Sequence, residues 1–347
     1  MKLAILADTH FGARNDSKNF DKYFRKFFQE TFFPYIEERG IKTLVHVGDV
    51  FDRRKYVNFN TLRSCKEYFF FPLQELGVDM KVIPGNHDTY FKNTNEVNSL
   101  DLLLREFSNI EIIEQPEIQE IDGKTCAFIP WICAENYDAC MQVINQGANY
   151  CFGHFEIAGF DMFRGVKNDG GMSRDVLRKF QRVMSGHFHH KSNDDNIHYL
   201  GSPYQFTWSD YQDVRGFHVF EPSENDLTFI ENPNQMFQKI YYDDRKKDEN
   251  FNILEGTCVK VIVVNKSDYQ RFDKLIDSLY NKGVNELTIH EDFSEFESEA
   301  IEESELDLED TMTLLTDYVD SIESDKDKGK LKTLLRTLYV EAQNLEI

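Results

Sequence analysis

Residues 1–12 read MKLAILADTHFG: the apolar run LAIL stops at Asp8, and His10 follows two positions later. The run is too short for a secretory leader and no small-residue cleavage pattern follows it, so 1–7 reads as a core strand. Its end carries two metal-capable side chains. Four further motifs supply the same kinds of residue: Asp49 in GDVFD (48–52), Asn86 in PGNHD (84–88), His154 in FGHFE (152–156), and His187 with His189 in SGHFHH (185–190). Most of them directly follow an apolar, strand-like run. That places the seven ligand candidates on loops at strand ends, where open α/β sheets bind ligands. A lone DxH would mean little; five motifs in sequence point to a metal centre.

Outward from these motifs the first two hundred residues alternate strand and helix. Strand-like runs fall at 3–7, 43–47, 81–83, 110–113, 126–129, 150–152, 182–184 and 197–200. Amphipathic stretches at 16–39 and 60–76 end near Gly40 and Gly77, as helices tend to. The alternation implies βαβ units and a largely parallel sheet. After about 180 helices thin out, and 216–220 with 227–230 reads as a hairpin. The fold class is an α/β sandwich.

Texture changes after 240. The segment 243–250 (DDRKKDEN) is a charged linker, and 250–290 contains one small β-α-β unit: strand 257–264, helix 267–281, strand 286–290. Residues 291–310 hold eleven acids and no Lys or Arg, the composition of a flexible solvated tether. Two amphipathic helices follow in 311–347. Met312, Leu315, Val319 and Ile322 line one; Leu331, Leu334, Leu335 and Leu338 line the other. A short hairpin behind such a tether favours an apolar face docked on a partner helix. The expected organisation is 1–240, 250–290, 291–310 and 311–347.

Net charge is −22, and the chain outside 291–310 still carries −11. A lone nucleic-acid binder is usually basic, because phosphate neutralisation supplies much of its affinity. Bound cations and a partner are therefore expected to supply positive field. No run of 18 apolar residues is present, so no membrane span is expected. Six scattered cysteines without CxxC spacing read as reduced cytosolic thiols, placing the protein in the cytoplasm.

Two divalent ions held close together need a bridging carboxylate and separate ligands on either side. Asp49 is the natural bridge; Asp8, His10 and His189 complete one set, and Asn86, His154 and His187 the other. Two residues apart in a strand-like segment, His187 and His189 share a face and can reach neighbouring ions. Imidazole mixed with carboxylate and amide suits manganese or iron more than zinc. Asn86 holds a cation without adding negative charge where phosphate must approach. His87, held by Asp88, is expected to protonate the leaving oxygen or contact the scissile phosphate. Structural roles are expected for His46, His198 and His218, and exposure for His190.

The order DxH, GDxxD, GNHD, GH, GHxH resembles the calcineurin-like metallophosphoesterases. DTHFG near the start, GDVFD before a helix, IPGNHD, and SGHFH ahead of YLGSPYQ resemble the SbcD-type recombination nucleases of the Mre family, above all their compact tailed-bacteriophage members. The resemblance covers 1–220 by motif and the rest by layout. It implies a four-layer α-β-β-α sandwich with a small α/β capping domain and a C-terminal helix-loop-helix gripping an SMC-like ABC ATPase. It also implies a nuclease dependent on two Mn2+ ions (Mg2+ being the other option), with 3′→5′ exonuclease action on duplex DNA ends and endonuclease action on single strands, in recombination and double-strand break repair. The seven ligands and a catalytic role for His87 carry over. Asp52 stands where some members have a DNA-orienting histidine and is left unassigned. A homodimer is implied, with 60–76 and 98–107 as candidate surfaces. Two rivals are a phosphatase of the same superfamily, which GNHD in place of GNHE disfavours, and a non-catalytic scaffold, which the filled ligand set disfavours.

Overall fold

The run LAIL forms strand β1 (Leu3–Leu6), and all four residues are buried. Leu3 and Ile5 enter a core shared with a second sheet, whereas Ala4 and Leu6 enter one shared with helices. Burial on both faces is why the run is continuously apolar rather than alternating. The computed structural model describes residues 1–163, 166–246, 253 and 255–291, together with Val319 and Lys328. Two units partition the chain, Met1–Glu291 and Asp292–Ile347. The expected acidic tether and C-terminal helices thus lie, but for isolated positions, outside the described residues.

Strands β2 (Thr43–His46), β3 (Asp79–Val82) and β4 (Ile110–Ile112) extend from β1 in parallel. The chain then builds a second sheet from β5 (Glu117–Ile121), β6 (Lys124–Ile129) and β7 (Tyr150–His154). A ribbon of β8 (Asp161–Phe163) and β9 (Val166–Lys167) interrupts it before β10 (Arg182–Gly186), β11 (Ser192–Asp194) and β12 (Ile197–Tyr199). The second sheet runs β11-β12-β10-β7-β6-β5, parallel at its centre and antiparallel at both edges. Strands β13 (Gly216–Glu221) and β14 (Asp226–Glu231) form the expected hairpin and return to the first sheet, giving β14-β13-β1-β2-β3-β4.

Between the sheets Leu3, Ile5, Val45 and Val47 meet Phe128, Tyr150, Phe152 and Met184. The outer face of the second sheet (Ala127, Ile129, Cys151, Val183) packs on helix Tyr137–Gln146 through Cys140 and Ile144. Helices Lys18–Phe27 and Phe59–Cys65 cover the outer face of the first. The result is the expected four-layer α-β-β-α order.

The two long helices expected at 16–39 and 60–76 are each interrupted at one sequence signal. Pro34 and Pro72 follow aromatic runs (FFP and FFFP) and have no N–H for an i→i−4 bond. The chain widens into a π turn just before each, at Phe28–Phe32 and Lys66–Phe70, and resumes as Phe33–Glu38 and Phe71–Glu75. Widening lets consecutive phenylalanines reach the sheet, so that Phe28 and Phe69 pack with ring centroids 4.6 Å apart.

A third sheet, β15 (Phe237–Asp243), β16 (Cys258–Asn265) and β17 (Glu286–Glu291), is parallel throughout, with helix Tyr269–Asn281 between β16 and β17. The expected β-α-β unit is present and gains β15, from a stretch expected to be the end of the first domain and a linker. Its core is its own: Ile240, Val259, Val261, Phe272 and Leu279. Phe237 at the head of β15 instead joins the helix-side core of the first sheet and packs on Trp208. All six cysteines are free and buried. No helix among the described residues is long and apolar enough to cross a membrane.

Candidate metal centre

The five motif loops leave the carboxyl ends of β1, β2, β3, β7 and β10. They are stitched together by main-chain bonds: Asp8 N–H donates to the Gly48 carbonyl at 3.1 Å, His10 to Asp49 at 3.1 Å, and Phe11 to Val50 at 2.8 Å. Asp8, His10, Asp49 and His187 have φ of 52°, 41°, 54° and 91°. Side-chain-bearing residues seldom adopt this left-handed region, and it persists where surrounding bonds over-determine it. Four of the seven ligand candidates are held this way. Approach is also close: a Cβ on Gly48 would lie 2.6 Å from His154 Nδ1, and one on Gly85 would overlap the Asp49 carboxylate and amide nitrogen. The glycines of GDVFD and PGNHD are steric requirements of the site.

All seven candidates converge. Asp8, His10 and His189 offer ligand atoms within 4.8 Å of one another, as do Asp49, His154 and His187. Asp49 Oδ2 lies 3.6 Å from His10 Nε2 and 3.3 Å from His154 Nε2, between the two sets. Asn86 Oδ1 sits 3.0 Å from His154 Nε2 and 2.9 Å from His187 Nδ1. His154 Nδ1 donates to the Val47 carbonyl at 2.8 Å, which turns Nε2 inward as a ligand nitrogen. The Asp8 carboxylate takes the His187 N–H at 3.0 Å, tying the first motif to the last.

These residues fit divalent cations. Nε2 of His10 and Nε2 of His189 face each other at 3.0 Å, a contact that a proton or a cation must mediate. Burial opposes charge on His10 and His154, yet Asp52, Asp49 and Asp8 raise His10 to about 9, and Asp49 and Asp8 raise His154 to about 9. Burial pushes Asp8 up to about 7, whereas Asp49, despite its burial, is held well below the usual carboxylate range by His154, His87 and His10. Burial lowers His187 to about 3 and His189 well below its usual value. The buried carboxylates draw in positive charge, and cations supply it without protonating ligand nitrogens.

The floor is recessed: Asp8, His10, Asp49 and His154 are at most 2% exposed. His87, His187 and His189 are half-buried and form the mouth. His87 donates its main-chain N–H to Asp49 Oδ1 at 2.7 Å, and its Nδ1 contacts the Asp52 carbonyl. The expectation that Asp88 holds the His87 ring is not met. Asp88 instead accepts main-chain N–H groups of Val50 at 3.0 Å, Phe51 at 3.1 Å and Gly85 at 2.9 Å, tying two ligand loops together. Its carboxylate turns back into the loops, and the His87 ring meets the Asp52 carbonyl in its place. Asp52 Oδ1 lies 3.4 Å from His10 Nδ1.

Among the other histidines, His46 Nε2 contacts Thr9 Oγ1 at 3.1 Å, Arg182 reaches His198 at 2.7 Å, and His218 packs on Phe229. The exposure expected of His190 is corrected: it is half-buried and paired with Asp213 at 2.8 Å. Sequence reasoning also missed several supports. Trp131 packs on His187 and His154, and Phe206 on His10 and His189. Tyr204, in the SPYQ segment, donates its hydroxyl to the Thr9 carbonyl at 2.6 Å. Arg215 is buried, donates to the His189 carbonyl, and pairs with Asp210 at 2.6 Å and Asp213 at 2.9 Å. Among the described residues, the buried Nη1 of Arg54 has no hydrogen-bond partner. Trp131, Phe206, Tyr204 and Arg215 reach the ligand loops from 17 or more residues away, so local pattern carried no signal beyond the SPYQ string.

The family model for calcineurin-like phosphoesterases matches residues 1–211. The chain belongs to that family. The phosphoesterase is 30% identical to exonuclease subunit 1 of Enterobacteria phage T4 over 353 aligned positions, covering 99% of both chains. It is 25% identical to the SbcD subunit of nuclease SbcCD from Staphylococcus epidermidis, covering 78% of each. The family accounts for the ligand clusters, since its members use divalent metals, and makes the phosphoesterase a hydrolase.

Proposed function

We propose that this hydrolase acts on phosphodiester bonds as a two-metal DNA nuclease, with Mn2+ as the preferred ion. The observation carrying the reading is a set of ligand clusters that overlap at His10 and Asp49, with His87 at their mouth and close enough to join His10 and Asp49. Full-length similarity to a phage exonuclease subunit supports a nuclease over a phosphatase. Asp8, His10, Asp49 and His189 would hold one ion, and Asp49, Asn86, His154 and His187 the other. When bound, such ions polarise phosphoryl oxygens and make water a competent nucleophile. Asp88 and Gly85 keep the loops of Asp49 and Asn86 at fixed spacing. The burial of the floor excludes bulk water and strengthens the field at phosphorus. His87 donates a proton to the leaving oxygen or binds the scissile phosphate.

The substrates would be duplex ends digested 3′→5′ and single strands cut internally. The test is digestion of end-labelled linear duplex by the purified chain with manganese, with magnesium, or with EDTA. Cleavage with manganese alone supports the reading. Phosphomonoester turnover without DNA cleavage returns the protein to the phosphatases.

An SMC-like ABC ATPase is the proposed partner, docked on the helices of 311–347 and sharing the grip on DNA that an acidic chain lacks. Deleting 311–347 is expected to spare manganese-dependent cleavage and abolish co-purification with the ATPase; undiminished association would sink the docking assignment. Phe71 and Leu102, 43% and 69% exposed within the candidate dimer surfaces 60–76 and 98–107, support self-association there. The proposed location is the cytoplasm of a bacterium or phage-infected host.

A further inference from the structure

We infer that Tyr90 and Phe91 form a stacking platform for an unpaired nucleobase beside the scissile phosphate, so that the site takes a DNA end with its terminal base turned out of the duplex. The inference rests on the nuclease reading above and adds a base subsite to it. Tyr90 and Phe91 are 44% and 45% exposed, with rings edge to face at 4.7 Å. Tyr90 follows His87 by three positions, a span of at most about 11 Å. The pair therefore stands within reach of a base flanking a phosphate at the site.

The loop carrying the pair is pinned. Thr89 bridges Asn98, and Tyr90 N–H donates to the Val97 carbonyl at 2.9 Å. Asn95 donates its side-chain amide to the Trp131 carbonyl at 2.8 Å, and Glu135 N–H donates to Asn93 at 3.2 Å. Trp131 in turn packs on His187 with ring centroids 5.2 Å apart. The main chain at Tyr90 is thereby tied to the loop that packs on His187, which lowers the ordering cost of binding.

Two features favour a base over an apolar peptide. The ligand floor is at most 2% exposed, so a phosphate has to enter a recess to meet it, and a terminal base freed from its pair is the one seated at the rim at least cost. An aromatic surface at the rim restores the stacking. Net charge of −22 also gives a weak electrostatic hold on phosphates, whereas stacking needs no positive charge.

The probe is a duplex with 2-aminopurine at its 3′ terminus, bound to full-length, manganese-loaded His87→Ser protein. Binding is expected to quench the fluorescence. Adding Tyr90→Ala/Phe91→Ala should remove the quench, and the exchange Tyr90→Phe/Phe91→Tyr should keep it. In the active protein, the double alanine variant should lower turnover of the base-bearing end, relative to bis-p-nitrophenyl phosphate, at least tenfold. An end abasic at that position should show no such drop. Equal ratios, an equal drop on the abasic end, or a changed oligomeric state without a change in quench would overturn the platform. A wild-type protein that hydrolyses bis-p-nitrophenyl phosphate and leaves every DNA intact would overturn the nuclease reading instead.

Discussion

Replacing His87 with serine is expected to leave both ions and the fold in place while DNA hydrolysis falls about 10²–10⁴-fold, the range for losing one proton-transfer group. His87 stands close enough to His10 and Asp49 to share a cation with them, and the proposed ligand sets are complete without it. The bond it gives Asp49 comes from its main-chain N–H, at 2.7 Å, and serine makes it equally. The ring's Nδ1 contacts a main-chain carbonyl, that of Asp52, and the buried Asp49 keeps His154 and His10 beside it when the ring is lost. His87 is also half-buried at the mouth, where a smaller side chain admits water rather than leaving a void. Metal content, thermal unfolding and cleavage of end-labelled duplex would be measured together. An undiminished cleavage rate would remove His87 from the chemistry; lost metal would move it into the ligand set.

Asp49→Ala is expected to act at the opposite level, removing metal and activity together, with cleavage down at least ~10³-fold because both ion sites lose a shared carboxylate. Asp49 stands between the sets, 3.6 Å from His10 and 3.3 Å from His154. Its neighbours are committed elsewhere: Asp88 is engaged by three main-chain amides, Asp8 by that of His187, and Asp52 faces the other ring nitrogen of His10, Nδ1, at 3.4 Å. Titration calorimetry with manganese, paired with cleavage assays, separates the outcomes. Two ions retained at wild-type affinity would refute the bridging assignment.

How much the chain disclosed depended on how local each cause was. Asp8, Asp49 and His154 were legible because each follows or ends its own strand, and LAIL because burial on both faces leaves a continuous apolar run. The π turns at Phe28–Phe32 and Lys66–Phe70 were legible in principle, since Pro34 and Pro72 removed a donor within one turn. Asp88 was misread because its partners Val50 and Phe51 lie 38 and 37 residues away, and adjacency to His87 suggested a nearer one. Arg215 was invisible for the same reason: its hold on the His189 carbonyl spans 26 residues. Strand β15 was missed because FQKIYYD alternates weakly and abuts a charged stretch; only its pairing with β16 defines it.

The two ligand sets draw on both sheets. Asp8, His10, Asp49 and Asn86 follow strands of the first, and His154, His187 and His189 follow or end strands of the second. Any ion seated in either set is therefore a rivet through the sandwich, added to the apolar seam and to hydrogen bonds such as that of His154 to the Val47 carbonyl. Rivets of this kind obey mass action: each tenfold excess of free ion over its dissociation constant adds about 1.4 kcal/mol per site to the folded form. The supply of metal thus sets how firmly the sandwich is clamped as well as how fast it cuts, so a cell short of the ion would hold a protein that is both silent and easier to unfold.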